Sequence, residues 1–319
     1  MNAVKVGVLG AGNMGKNHVR LTSEMREFEL IGIYDTNPAA ESITKVYNTQ
    51  FYTNLNELLS NVEAVIIATP SSTHIEMAKT AVDNGLHTLV EKPLGLDSNE
   101  ANIINEAFNK SGKVLCVGHV ERFNPVVLEA EKLLEHEDVI AINTRRFSPK
   151  DMRINDADVL QDLLIHDLDI IVNSLNKSKI KKLNANGRVA YNDYLVDYVH
   201  SIIEFENGVL ATLEASRTTE DKVRDIDIHT TNSFIRMDLL GKTMTITRKT
   251  NYKLDTGYSP TYRQENITEK VIIPLIEPLK EELKNFAACI LSGDTPRVNG
   301  DNAYYALKIL DEMKELIYR

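Results

Sequence analysis

The sequence has few of the features that mark disulfide-rich, membrane-spanning and nucleic-acid-binding proteins. Its two cysteines, Cys116 and Cys289, lie far apart in apolar stretches, which indicates reduced, buried thiols and argues against a disulfide framework. The longest apolar runs are short or interrupted by charged residues, so no segment is predicted to span a bilayer. No signal peptide precedes the first strand-like run, "VKVGVLG", and we therefore expect a cytoplasmic protein. No basic stripe offsets the formal charge of -10, which argues against a nucleic-acid partner.

The composition is that of an ordinary soluble globular protein, with 43 % hydrophobic and 26 % charged residues. A length of 319 residues suffices for two domains, each with its own core. We find no internal repeat and no low-complexity tract. Because the pattern of the sequence changes in the second third of the chain, we predict one domain over residues 1–122 and another over residues 123–319.

Strand and helix patterns alternate in the first domain. Short β-branched or leucine-rich runs, typical of strands that are buried on both faces, occur at 5–10, 29–35, 62–70, 86–93 and 113–119. Helical patterns separate these runs at 13–25, 38–46, 55–60, 73–84 and 98–110. This alternation predicts a doubly wound parallel sheet, which is an α/β domain of the Rossmann type.

The second domain shows alternating apolar and polar residues, with turn signals such as "ENG" between the runs. The runs lie at 139–148, 181–190, 194–216, 224–240 and 242–250. They predict an α+β domain with a largely antiparallel, open-faced sheet. We predict helices at 156–175, 278–292 and 301–317, and a loop within 251–270.

A glycine motif, "GAGNMG" from Gly10 to Gly15, follows the first strand and opens a helix. The pattern alone also fits a plain glycine turn, but Asp35 at the end of the second strand gives it the spacing of a dinucleotide site. Gly10 and Gly12 let the backbone approach a pyrophosphate, and Gly15 lets the helix pack closely on the sheet. Asp35 would bind ribose hydroxyls and repel a 2′-phosphate, which favours NAD over NADP. The alternative is that Asp35 is only a turn residue before "TNP".

Three further segments end strands of the same sheet and therefore converge on its ligand-binding edge. They are "TPSSTH" at 69–74, "EKP" at 91–93 and "GHVERFNP" at 118–125. His74 also fits a residue near the start of a helix, and His119 is equally ambiguous. The predicted cofactor-binding residues are Gly10, Gly12, Asn13, Met14, Gly15, Asp35, Thr69, Pro70, His74, Glu91 and Lys92.

Two aspartates and a histidine share one face of the helix predicted at 156–175. Asp162, His166 and Asp169 stand at i, i+4 and i+7 beside an apolar stripe. One explanation is a solvated ion pair, and the other is a general base that the aspartate orients. These groups could also ligate zinc, but no further Cys or His cluster completes the ligand sphere, so we expect no metal.

Together these motifs closely resemble the Gfo/Idh/MocA family of nicotinamide-dependent sugar and polyol dehydrogenases, over the whole chain. The resemblance implies that Lys92, Asp162 and His166 are the catalytic groups and that the Lys92–Pro93 peptide is cis. In the implied reaction His166 accepts the proton of a secondary hydroxyl and Asp162 stabilises the imidazolium. Lys92 hydrogen-bonds the substrate oxygen as negative charge develops there.

A narrower likeness, in "VGHVERFNPVVLEAEKLL" and "DLLIHDLDI", is to nucleotide-sugar 3-dehydrogenases, including those of UDP-N-acetylglucosamine. It implies a sugar or nucleotide-sugar substrate. Four arginines, each on its own better explained as a surface or salt-bridge residue, could add cationic contacts: Arg122, Arg145, Arg146 and Arg153. The predicted substrate-binding residues are Lys92, His119, Arg122, Asn124, Asp162 and His166.

The resemblance leaves several questions open. It implies a homodimer or homotetramer, in which the open face of the second sheet meets another copy. A dehydrogenase of a free sugar, inositol or dihydrodiol is the alternative activity. A non-catalytic NAD-binding regulatory protein is the alternative from another class, although such a protein need not keep the catalytic set.

Overall fold

The computed structural model describes residues 3–150, 157–191, 194–255 and 260–319. The chain divides into two compact units, Met1–Phe123 with Ile276–Asp311 and Asn124–Leu275 with Glu312–Arg319. The predicted domains differ from these units in two respects: they assign the segment 276–311 to the second domain, and they place Phe123 there as well. Among the described residues, no helix is both long and apolar enough to cross a bilayer.

The sheet of the first unit consists, over its described residues, of six parallel strands. They are β1 (Val4–Leu9), β2 (Phe28–Tyr34), β3 (Gln50–Tyr52), β4 (Ala64–Ile67), β5 (His87–Glu91) and β6 (Leu115–Gly118). The helices between them are α1 (Asn13–Glu24), α2 (Glu41–Tyr47), α3 (Leu55–Leu59), α4 (His74–Asp83) and α5 (Ser98–Ser111). The strand order β3-β2-β1-β4-β5-β6 confirms the doubly wound parallel sheet and reverses direction between β1 and β4, where ligands bind in such folds. The short edge strand β3 was not predicted.

The core of the first unit explains why the chain returns to it after residue 275. Apolar residues of β1 and α1 pack in one cluster with Leu283 and Phe286 of α8 (Pro278–Ser292). The rings of Phe28 and Phe286 lie 6.4 Å apart between centroids. Helix α9 (Gly300–Ile317) follows, and its first part completes this unit.

In the described part of the second unit, eight strands form the sheet, in the order β14-β13-β12-β11-β7-β10-β9-β8. They are β7 (Val139–Phe147), β8 (Ile180–Arg188), β9 (Tyr198–Phe205), β10 (Leu210–Ser216), β11 (Val223–Thr230), β12 (Ser233–Asp238), β13 (Thr243–Asp255) and β14 (Pro260–Val271). Every neighbouring pair is antiparallel except β7 with β10. Along β9 and β10 fully buried residues alternate with exposed or half-buried ones, so one face is covered and the other is open, as predicted.

The loop predicted within 251–270 stays a prediction, because residues 256–259 lie outside the described residues, but the stretches on either side of them are strand. β13 and β14 pair in register from Met244 with Val271 to Asp255 with Pro260, so the described part of this stretch is strand. Its sequence has no apolar alternation, but it is rich in threonine and tyrosine, which favour strands. Backbone hydrogen bonds along the ladder form whether or not one face of the hairpin is apolar.

Two helical features of the second unit differ from the expected ones. Helix α6 (Pro125–Leu134) was not predicted, although Asn124 caps it and Pro125 occupies its first turn. The helix predicted at 156–175 is α-helical only over α7 (Ile165–Ile170). π-helical turns, Leu160–Leu164 and Ile171–Leu175, flank α7, and residues 151–156 lie outside the described residues.

Candidate active site

The glycine loop between β1 and α1 has the geometry expected of a dinucleotide site. Gly10 has a φ of +89°, and a Cβ at Gly15 would lie 1.9 Å from the Gly10 backbone oxygen, so α1 starts directly against the loop. A Cβ at Gly12 would meet nothing within 4 Å. Gly12 and Asn13 are exposed and Met14 is half-buried. The amino terminus of α1 is thus accessible to a pyrophosphate.

Asp35, at the end of β2, is bound to this loop. Its Oδ2 accepts a hydrogen bond from the Ala11 amide at 2.7 Å, and its Oδ1 accepts one from the Asn37 amide at 2.7 Å. An ionised carboxylate has about four acceptor positions, so two remain for ribose hydroxyls. The two amides fix the orientation of the carboxylate beside the glycine loop.

We expect Asp35→Ser to narrow the preference for NAD over NADP by on the order of tenfold or more. Two like charges ~4 Å apart near a protein surface repel by about 4 kcal/mol before salt screening, and serine removes that repulsion. Cofactor titration by calorimetry measures the change. Asp35→Asn is the matched control. It removes the charge but retains an acceptor for the loop amides, so it separates the effect of the charge from that of the loop contacts. Equal affinity of the unmodified protein for both cofactors would contradict the assigned role of Asp35.

The segment after β4 lies at the point where the strand order reverses. Thr69 is half-buried, and its hydroxyl accepts a hydrogen bond from Thr73 at 2.8 Å, whereas Pro70 is exposed. His74 opens α4 and is 1 % exposed. Its Nδ1 lies 2.7 Å from the Pro93 backbone oxygen, and its Nε2 lies 3.0 Å from that of Thr69. His74 therefore connects the ends of β4 and β5.

Lys92 follows β5 at the same edge of the sheet and is half-buried. The peptide bond between Lys92 and Pro93 is cis, as the resemblance implied. The preceding residue, Glu91, is 9 % exposed, and its Oε1 lies 2.6 Å from Nε2 of the fully buried His18. A Cβ at Gly118, which pairs with Glu91 in the sheet, would lie 2.8 Å from the Glu91 carboxylate. Only glycine leaves room for this carboxylate, and the sequence alone gave no sign of the pair with His18.

A second acid, Glu282 on α8, is 1 % exposed in the same unit. Neither of its carboxyl oxygens has a hydrogen-bond partner among the described residues. Burial, and then the charge of Glu91, raise the pKa of Glu282 well above its usual value. Burial likewise raises the pKa of the Cys116 thiol, and the charge of Glu282 adds to that effect. Folding therefore favours the protonated form of Glu282.

We expect Glu282→Gln to make the protein more stable than the unmodified chain at pH 8, with a smaller difference near pH 5. Because the pKa of Glu282 is raised by folding, the folded state binds this proton more tightly than the unfolded state does. The resulting stability is present below the unfolded pKa and is lost as pH rises towards the folded pKa, by about 1.4 kcal/mol per pH unit. Urea unfolding at both pH values measures the difference, with Glu281→Gln on the same helix as control. A constant difference would contradict the buried-acid assignment.

The segment after β6 contains three predicted substrate-binding residues. His119 is 1 % exposed, and Arg122 is 4 % exposed and donates to the Arg297 backbone oxygen at 3.3 Å. The Asn124 side chain caps α6 through the Val126 amide at 3.1 Å and donates to the Leu239 oxygen at 3.2 Å. All three side chains are buried, and for each of them substrate binding stays a prediction.

In the second unit, Asp162 and His166 lie on the helix that runs through α7, and both are half-buried. The helix start is fixed by Asp158, whose carboxylate accepts from the Gln161 amide at 2.9 Å. The turn Leu160–Leu164 packs against β7 and β10. Because this turn is π-helical, Asp162 and His166 span a junction between π and α geometry, and such turns are frequent at functional sites.

The aspartate next to His166 anchors the helix to the sheet. The Asp167 carboxylate accepts two hydrogen bonds from Arg146 on β7, at 2.9 and 2.6 Å, and both side chains are at most 3 % exposed. Removing one partner of such a buried pair is strongly destabilising. Arg146 is therefore a buried structural residue, and its partner was not predicted from the sequence.

Two of the remaining predicted groups, Asp169 and Arg145, have side-chain partners of their own. Asp169 is 1 % exposed and accepts from the Asn173 amide group at 2.8 Å, so it differs in environment from the half-buried Asp162 and His166. Arg145 is about half exposed and pairs with Asp225 at 3.1 Å, in agreement with a surface role. Arg153 lies outside the described residues.

Profiles of two protein families match the chain. Residues 4–119 match the oxidoreductase family with an NAD-binding Rossmann fold, and residues 139–236 match the GFO/IDH/MocA C-terminal domain. The sequence is also 30 % identical over 251 residues to UDP-N-acetylglucosamine 3-dehydrogenase of Acidithiobacillus ferrooxidans, which covers 76 % of each chain. The chain belongs to the Gfo/Idh/MocA family.

Two further similarities extend over almost the whole length of the chain. Scyllo-inositol 2-dehydrogenase (NAD(+)) of Bacillus subtilis is 27 % identical over 325 residues, covering 96 % of this chain and 92 % of that one. The solved structure of UDP-N-acetylglucosamine 3-dehydrogenase GnnA from Acidithiobacillus ferrooxidans has a TM-score of 0.88 at 26 % identity, covering 99 % and 98 % of the two chains. The chain is thus an NAD-binding oxidoreductase, and the predicted fold, cofactor and enzyme class are confirmed.

The residues present in the first unit fit NAD. The open space at Gly12, the exposed start of α1 and the fixed Asp35 carboxylate match its pyrophosphate and ribose groups. When bound, NAD accepts the hydride. The chain's own residues then have to bind the alcohol, orient it and remove its hydroxyl proton.

Proposed function

We propose that the protein oxidises a secondary hydroxyl of a nucleotide sugar, with Lys92, Asp162 and His166 as its catalytic groups. The observation that supports this most is the position of Lys92, which follows β5 at the same sheet edge as the glycine loop and Asp35. A lysine there can contact the reacting part of a substrate that lies against the cofactor. Family membership supports assigning Asp162 and His166 to the same reaction.

The proposed chemistry needs only these three groups and the cofactor. A secondary hydroxyl does not form an alkoxide unaided at neutral pH, so its proton has to be removed as the carbon loses hydride. His166 accepts that proton, and Asp162 stabilises the imidazolium that results. The Lys92 ammonium hydrogen-bonds the oxygen as charge develops on it. The product is a keto sugar.

The proposed substrate is UDP-N-acetylglucosamine or a close UDP-sugar, oxidised at C3. The support is the 30 % identity to the Acidithiobacillus ferrooxidans enzyme that carries this activity in its name. Scyllo-inositol, the named substrate of the Bacillus subtilis relative, is the second candidate, since that similarity spans nearly the whole chain.

A substrate panel tests the proposal. We expect UDP-N-acetylglucosamine to reduce NAD, followed by NADH absorbance, and to yield a 3-keto product identified by mass spectrometry. Free inositol and glucose should react poorly. A response to free polyols alone would contradict the nucleotide-sugar substrate but retain the dehydrogenase. Binding of NAD without turnover of any sugar would favour the regulatory alternative.

The open face of the second unit's sheet is where we propose that a second copy binds. Half-exposed polar residues on it are joined across strands, as in Thr212 to Asn143 at 2.6 Å. The resulting homodimer, or a tetramer of two dimers, would be observed by light scattering.

A further inference from the structure

Two buried histidines hold the residues on either side of Lys92. Before it, the Glu91 carboxylate lies 2.6 Å from Nε2 of His18. After it, the Pro93 backbone oxygen lies 2.7 Å from Nδ1 of His74. Both histidines are at most 1 % exposed, so bulk water does not replace these bonds. The backbone of Lys92 is therefore fixed at both ends.

The same two histidines belong to the elements that form the dinucleotide edge. His18 lies on α1, whose amino terminus follows the glycine loop. His74 also reaches the end of β4, where its Nε2 lies 3.0 Å from the Thr69 backbone oxygen. Each histidine thus connects the Lys92 segment to a different element at the cofactor edge of the sheet.

We propose that His18 and His74 are positioning residues for Lys92, which they hold in register with the cofactor-binding elements. The inference rests on the proposed role of Lys92 at the substrate hydroxyl. A displacement of about 1 Å in a reacting group can lower a rate on the order of a hundredfold. Loss of either contact therefore lowers kcat, while the glycine loop and Asp35 continue to bind NAD.

Asparagine and glutamine distinguish the two ring nitrogens, because the amide nitrogen of asparagine lies near Nδ1 of the histidine it replaces and that of glutamine lies near Nε2. At position 74 the contact with Pro93 uses Nδ1, so His74→Asn should retain more kcat than His74→Gln. At position 18 the contact with Glu91 uses Nε2, so His18→Gln should retain more kcat than His18→Asn. His74→Phe and His18→Phe should each lower kcat about tenfold to hundredfold. The NAD dissociation constant should stay nearly unchanged in His18→Phe, because position 18 is not among the predicted cofactor-binding residues.

His87→Gln is the matched control. His87 stands at the opposite end of β5, where its Nδ1 accepts a hydrogen bond from the Val114 amide at 3.0 Å. The change removes a histidine-to-backbone contact from the same strand, away from Lys92, and should leave kcat as it was. Thermal unfolding of every variant separates lost stability from lost rate.

A second measurement needs no turnover. Reductive methylation with ¹³C-formaldehyde gives each lysine an NMR signal, and the Lys92 signal is the one absent from Lys92→Arg. In the NAD-free protein, His74→Phe and His18→Phe should shift the Lys92 signal, whereas His87→Gln should not. If a phenylalanine variant does not fold, the asparagine and glutamine pair at that position supplies the same comparison.

Unchanged kcat together with an unchanged Lys92 signal in the position-18 and position-74 variants would overturn the proposal. Equal losses in the asparagine and glutamine variants at both positions would also overturn it. Full turnover in Lys92→Met would instead contradict the proposed function, and the Lys92 signal would still test the two histidines.

Discussion

Replacing His166 by asparagine is expected to lower turnover on the order of a hundredfold or more, with NAD affinity nearly unchanged. Asparagine keeps a polar group on α7 but cannot accept the substrate proton. In the unmodified enzyme the rate of alcohol oxidation should rise with pH as the imidazole loses its proton, and this dependence should disappear in the variant. Steady-state kinetics with the true substrate and cofactor titration measure the two effects.

Two further variants test whether the loss of turnover is specific to the Asp162–His166 pair. Asp162→Asn should lower turnover less than His166→Asn, since the proton acceptor remains and only its partner's charge is lost. His136→Asn, at an exposed position after α6 in the same unit, controls for the loss of an imidazole elsewhere. Near-normal turnover in His166→Asn at the pH optimum would remove His166 from the mechanism and leave Lys92 as the next candidate for proton transfer.

Lys92→Met is expected to be at least as damaging as His166→Asn, again on the order of a hundredfold or more in kcat. Methionine has a similar length but cannot donate a hydrogen bond or stabilise the negative charge that develops on the substrate oxygen. The loss should appear mainly in kcat, because the stabilisation is greatest in the transition state.

Lys92→Arg is the control for this change. Arginine keeps the positive charge, but its planar guanidinium has a different hydrogen-bonding geometry, so it should recover only part of the rate. Recovery to the unmodified rate would show that charge alone suffices. Turnover of Lys92→Met close to that of the unmodified enzyme would exclude the lysine from charge stabilisation.

Local patterns in the sequence predicted the elements that have a strong period or a specific turn. The parallel strands of the first unit are nearly continuous apolar runs, and "GAGNMG" with Asp35 indicated both the fold and the NAD site. The part of the β13–β14 hairpin beyond residue 250 and the short strand β3 were not predicted, because neither has an apolar alternation. Helix α6 was missed although its cap, Asn124, and Pro125 are ordinary start signals.

Contacts between distant parts of the chain could not be predicted from periodicity. His18 and Glu91 are 73 residues apart, and Arg146 and Asp167 are 21 apart on a strand and a helix. In the sequence each of these residues looks like an ordinary polar residue, because its burial and its partner depend on the tertiary structure. The π-helical turns beside α7 could not be predicted either, because the spacing of the apolar residues also fits a regular α-helix.

The separation of the first unit into two stretches of sequence bears on how the protein folds during synthesis. A ribosome releases the strands of the first sheet long before Leu283 and Phe286, which pack against the face that includes Phe28. Until α8 emerges, that face has to remain exposed or be covered by another protein. The exposed apolar surface of such an intermediate favours aggregation, so the yield of folded protein should depend on chaperones more than that of a dehydrogenase whose nucleotide domain is contiguous.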